Sequence, residues 1–222
     1  MPDTSRPNSW PNSWPNSWPN SWQALRDCNR DLALCLLFSP AVARPVLADR
    51  LTLALEAETA VRGTSEPMLA AIRLQWWADA VAARRDENVP LMRRLLAHLE
   101  GGVIREGDLL AQLAVWQDRL ADNRVSAASC WRDFFLMLAG GGVAGQAAGL
   151  VGAALQDQNT AIRLQDDGIA SLRTREHYWV WMVGQLARHR LSGNYRDDDA
   201  LLVWRMLGWR LGFRRPAPSS SL

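Results

Sequence analysis

From Gln23 onward, apolar residues recur at every third and fourth position, long runs of β-branched residues are missing, and glycines and prolines fall between the periodic stretches. This pattern predicts an all-α domain, with helices near residues 22–38, 41–61, 66–84, 89–99, 107–122, 129–154, 160–190 and 198–211. Pro40, Pro67 and Pro90 fall at or close to predicted helix starts, where a missing amide hydrogen costs nothing. Upstream, Pro7 to Trp22 is four copies of Pro-Asn-Ser-Trp. A proline at every fourth position is incompatible with a regular helix, so residues 1–22 read as a disordered repeat tail, residues 23–213 as one helical domain, and residues 214–222 as a second disordered tail.

Two predicted helices place charge on their apolar faces. In the segment from Leu47 to Arg62, the residues Leu47, Leu51, Ala54, Leu55 and Val61 form one apolar face, and Glu58 and Arg62 fall inside it. Being four apart, these two can pair with each other. They read either as a polar site lining a cavity or as a partly exposed salt bridge near a helix end. In the next helix Leu69, Ile72, Trp76, Ala80 and Ala83 form the apolar face, with Arg73 inside it and Gln75 and Asp79 alongside. An arginine cannot shed its charge, so Arg73 requires a carboxylate such as Glu58, a set of carbonyls, or an anionic ligand such as a phosphate. The two wheels together predict that Glu58, Arg62 and Arg73 converge on one interior region.

Phe134 to Leu155 runs for 22 residues with Gln146 as its one polar side chain, and carries Gly141, Gly145 and Gly149 at four-residue spacing. Its second half is mostly glycine and alanine, which contribute little to transfer into lipid, and its neighbours are amphipathic. The reading favoured over a transmembrane span is therefore a central buried helix whose small residues allow close approach of another helix or leave room for an apolar ligand.

Composition narrows the classes. A chain of 222 residues, 48% of them hydrophobic, supports one sizeable core. A net charge of +2 gives no reason to expect a nucleic-acid binder or a polybasic membrane anchor. All 25 basic residues are arginine. Cys28, Cys35 and Cys130 have no CxxC spacing and no histidine pair to complete a zinc site, so they read as reduced thiols of a cytoplasmic protein, and no secretory signal is visible at the start.

The run Ser65-Glu66-Pro67-Met68-Leu69, continued by Ile72-Arg73-Leu74-Gln75-Trp76-Trp77-Ala78-Asp79-Ala80, resembles the SEPM-x-x-x-IRLQWW-x-DA signature of the squalene/phytoene synthase family. It is particularly similar to the bacterial branch related to the mitochondrial complex I assembly factors. Asp27 to Pro40 resembles the family's opening helix, and Leu55-Glu56-Ala57-Glu58 its F-N-x-E. The resemblance covers about Asp27 to Val81.

The resemblance implies an isoprenoid-synthase-like helical bundle. In active members two DxxxD motifs hold magnesium, and two prenyl diphosphates are joined head to head. Here Glu58 is followed four residues later by Arg62, which puts a cation in a ligand position, and Asp166 and Asp167 are the remaining candidates for a second metal site. The expectation is a catalytically degenerate member that keeps a pocket for a prenyl diphosphate or other isoprenoid, with Glu58, Arg62, Arg73, Gln75, Trp76 and Asp79 as ligand-binding candidates. Magnesium would be its cofactor only if the ancestral activity survives. The alternatives are an active prenyl transferase and a non-catalytic assembly or scaffold protein with a protein partner. Contact with a membrane, if any, is expected to be peripheral.

Overall fold

A computed structural model describes residues 17–63, 66–86, 88–122, 124–191, 195–196 and 199–213. Among these there is no strand, and the chain is an all-α bundle. The first helix, α1, spans Ser17–Cys28 and so includes the last Pro-Asn-Ser-Trp copy, which corrects the tail boundary expected at residue 22. Pro19 falls in the first turn, where backbone amides have no intrahelical acceptor and a proline is tolerated. Ser21 is fully buried, and the half-buried Trp22 donates its indole N–H to the Ala33 carbonyl at 3.2 Å. Residues 1–16 and 214–222, the rest of the expected tails, lie outside the described residues.

The predicted helix over residues 22–38 is two helices. Asn29 adopts an extended conformation, and its side chain accepts the Leu32 amide at 3.1 Å, which starts α2 at Arg30–Leu36. A 3₁₀ turn at Ala41–Ala43 leads into α3 at Arg44–Arg62, followed by α4 at Pro67–Ala82, α5 at Pro90–Glu100 and α6 at Glu106–Ala121. Helix α3 is the axis of this half, packing against α1, α4, α5 and α6.

The long helix expected over 129–154 is a hairpin of α7, Ala127–Ala139, and α8, Gly142–Ala154. Gly140 and Gly142 have φ of 74° and 76°, a region that side-chain-bearing residues avoid, so the chain reverses there. The small residues do permit close approach, but between these two helices. A Cβ added at Gly152 would collide with the Trp131 carbonyl, and one at Gly145 with that of Gly140, whereas one at Gly141 would meet nothing.

The predicted 160–190 helix likewise divides into α9, Gln158–Arg163, a 3₁₀ turn at Asp167–Leu172, and α10, Tyr178–Arg190. Polar residues redirect the backbone: Asp157 caps α9 by accepting the Thr160 amide at 2.8 Å, and Thr174 Oγ1 accepts the His177 amide at 3.3 Å before α10. Helix α11 spans Leu202–Arg210. Trp179 through His189 are all buried, so the central helix is α10, not the stretch from Phe134 to Leu155. It packs on α2, α8, α9 and the second 3₁₀ turn. An edge-to-face contact of Trp131 with Trp116 at 5.8 Å ties α7 to α6, and Phe135 of α7 lies 5.6 Å from Trp179 of α10. Among the described residues, no helix is long and apolar enough to cross a membrane.

Candidate functional site

Helix α3 is buried on nearly every side, and its Glu58 shares a face with Leu51 and Ala54, both buried. The glutamate is only 5% exposed, and its partner is Arg62 one turn on, at 3.7 Å from the guanidinium to Oε1. Arg62 itself points outward, with 65% of its side chain exposed. The pair therefore bridges interior and surface. At 3.7 Å this is an ion pair without a hydrogen bond, and the buried Oε1 has no hydrogen-bond partner. The same holds for a terminal nitrogen of Arg119 on α6. Both groups act on Cys130 of α7, whose thiol is pushed up to about 11, chiefly by burial.

The expected convergence of Glu58, Arg62 and Arg73 in the interior is not what the fold produces, because Arg73 is exposed. The buried face of α4 is Ala70, Leu74, Trp77, Ala80 and Val81, and Leu69 and Ile72 of the expected face are exposed. Apolar residues surround α4 on nearly every side, so its wheel offers more than one face, and packing against α3, α5 and α6 selects the one through Leu74 and Trp77. Gln75 and Asp79 are exposed and joined by a 2.8 Å hydrogen bond from the amide to the carboxylate. Gln75 also accepts from Gln117 of α6 at 3.3 Å. Trp76 is half-buried and edge-on to Trp77 at 5.1 Å.

Between α4 and α6 runs an apolar groove of about 730 Å³, walled by Met68, Ala71, Ile72 and Leu120, with Gln75 and Gln117 forming its polar part. Of the ligand-binding candidates, Gln75 lines it, whereas Arg73, Trp76 and Asp79 do not.

The residues present do not fit a magnesium cluster. Glu58 is committed to Arg62. Asp166 accepts from Arg188 at 2.6 Å and from Gln185 at 3.1 Å, with Arg173 at 4.0 Å. A carboxylate already bound by the Arg188 guanidinium and the Gln185 amide offers a divalent ion little negative charge. Asp167 is exposed at the start of the second 3₁₀ turn, and the three carboxylates are not brought together.

Pattern reading passed over two buried carboxylates. Asp49 of α3 accepts from Ser21, Arg94 and sits against His98. Asp31 of α2 accepts the Tyr195 hydroxyl at 2.6 Å and Arg190 at 3.3 Å. Burial, helped by that bond to Asp31, pushes the Tyr195 hydroxyl up to about 12. An aspartate inside an otherwise apolar helical stripe was the available signal for both. No family model, no curated protein and no solved structure matches the chain.

Proposed function

We propose that this chain is a divergent squalene/phytoene synthase-like protein that has lost head-to-head prenyl transfer and binds an isoprenoid-type ligand in the groove between α4 and α6. The Glu58–Arg62 ion pair carries the reading. Where the resemblance calls for two oxygen ligands one helical turn apart, the turn presents a carboxylate and the cation that neutralises it, which repels magnesium from the position that would have to bind it. The groove supports the ligand half of the proposal. Its volume falls in the range of about 300–1,000 Å³ usual for small-molecule sites, its walls are mainly apolar, and Ile72 and Gln75 of the family-like run contribute to it.

A second reading, a scaffold acting through its surface, draws on the exposure of Met68, Leu69 and Ile72, three apolar side chains on α4. A cytoplasmic location, with peripheral membrane contact through the same strip, goes with either reading. Thermal unfolding with farnesyl diphosphate separates them. The ligand reading expects a rise in melting temperature that does not require magnesium and that Ile72→Glu removes. No shift under either condition favours the scaffold, and a shift seen only with magnesium contradicts the proposed loss of metal chemistry.

A further inference from the structure

A different part of the molecule gathers positive charge. The turn after α2, the first residue of α3, the segment preceding α10 and the last residue of α11 enclose a recess of about 570 Å³. Arg44, Arg173, Arg175 and Arg210 line it together with the rings of Phe38 and Tyr178, and among the described residues no carboxylate is in its wall. Four guanidiniums thus share one recess in a chain whose net charge is only +2.

Each arginine is placed by its surroundings. Arg44 donates to the carbonyls of Ser39 at 3.1 Å and Leu37 at 2.8 Å, which fixes its charge at the wall. The Arg210 guanidinium carbon lies 6.0 Å from the centroids of both the Phe38 and the Tyr178 rings. Arg173 stacks over Trp181 at 5.1 Å, and its 4.0 Å approach to Asp166 is distant beside the 2.6 Å bond that Arg188 makes to the same carboxylate. Among the described residues, neither Arg175 nor Arg210 has an ion-pair partner within 4.0 Å. Arginine cannot relieve crowding by losing a proton, and a concave wall of one sign concentrates the field toward an incoming counter-ion.

We propose that this recess is a binding site for a phosphate-bearing anion, with the guanidiniums taking the phosphate oxygens and the rings of Phe38 and Tyr178 meeting the apolar or planar group that carries it. Planar guanidinium forks match phosphate oxygens in pairs, and two aromatic faces beside them favour an organic phosphate over a bare ion. The site shares no lining residue with the α4–α6 groove and lies at the opposite end of α3 from the Glu58–Arg62 pair. Arg44 and Glu58 are fourteen residues apart on α3, which at 1.5 Å per residue puts them about 21 Å apart along the helix. The inference therefore stands independently of the isoprenoid reading, and inorganic pyrophosphate, which has no chain to place in the apolar groove, tests it alone.

Calorimetric titration of the full chain with pyrophosphate in EDTA at low salt is expected to show saturable binding that weakens as salt is raised. Arg175→Ala and Arg210→Ala should each weaken it about tenfold. Arg124→Ala, whose side chain is 93% exposed and paired with Asp122 elsewhere, should leave it unchanged. Circular dichroism melting checks that each variant is folded, and Arg175, exposed and without an ion-pair partner among the described residues, is the safer of the two changes. Sedimentation with phosphatidylcholine vesicles containing phosphatidylglycerol distinguishes the sources. Vesicle binding displaced by pyrophosphate and lost in the same variants identifies a lipid headgroup, and pyrophosphate binding without vesicle binding identifies a soluble phosphate compound. No saturable binding to either probe, or binding indifferent to Arg175→Ala and Arg210→Ala, overturns the proposal.

Discussion

The Asp49 carboxylate, fully buried on α3, accepts a 2.7 Å hydrogen bond from Nε of Arg94 on α5. Its second oxygen accepts Ser21 Oγ of α1 at 2.9 Å and lies 3.0 Å from His98 Nε2. One carboxylate thus joins three helices. The last tetrapeptide repeat is drawn into the bundle at this point, since Ser21 belongs to it.

Removing Asp49 leaves Arg94, whose side chain is 17% exposed, without the carboxylate that compensates it. Asp49→Ala is expected to destabilise the protein by roughly 3–5 kcal/mol, as for other broken buried ion pairs. Urea denaturation measures this, and a loss below about 1 kcal/mol would show that water replaces the carboxylate at little cost.

The α7–α8 hairpin makes a sharper packing prediction. A Cβ at Gly152 would lie 2.8 Å from the Trp131 carbonyl carbon and 3.0 Å from Phe135 Cβ, so the helices must separate to admit it. Gly152→Ala should cost at least about 1–3 kcal/mol. Gly107→Ala, where a Cβ meets nothing within 4 Å, should be neutral or stabilising by up to about 1 kcal/mol. Equal effects of the two substitutions in thermal melts would contradict the close approach.

Periodicity was enough to read the all-α class and the placement of α3, α4 and α5, because each presents apolar residues behind a proline in its first turn. It failed where a single polar or glycine residue reverses the chain inside an apolar run. Asn29 and the Gly140–Gly142 turn each split one expected helix into two. At the candidate site Glu58 was legible, because it lies on the same side of α3 as Leu51 and Ala54 and α3 is buried on nearly every side, and Arg73 was not, because apolar residues lie on several sides of α4 and neighbouring helices choose its face. The arginine recess brings together residues as far apart in sequence as Arg44 and Arg210, so no local pattern could announce it.

His189, buried at the end of α10, makes stability depend on pH. Burial, reinforced by Arg205, holds its imidazole below the ordinary value, while Asp199 and Asp31 pull the other way. Its ring also faces Tyr195 at 5.9 Å and Trp209 at 5.4 Å. Because the unfolded chain takes up this proton at higher pH than the native state does, stability is fully present above about pH 6.5 and is lost as pH falls through the depressed native value. The wild-type urea midpoint should therefore fall more than that of His189→Gln between about pH 7.5 and 5.5. The remaining histidines are common to both proteins, so an identical fall in the two would refute the assignment.

The central claim, that the Glu58–Arg62 pair stands where head-to-head synthases need paired metal ligands, is tested most directly by turnover. Purified full-length protein is incubated with radiolabelled farnesyl or geranylgeranyl diphosphate, magnesium and a reductant, and the extracted products are separated. Departure of diphosphate needs its developing charge neutralised by positioned cations, and Arg62 with its partner Glu58 supplies a neutral pair instead. The account predicts no squalene, phytoene or cyclopropyl diphosphate above the no-enzyme control. Any of these products above that control, lost in Glu58→Gln, would contradict it.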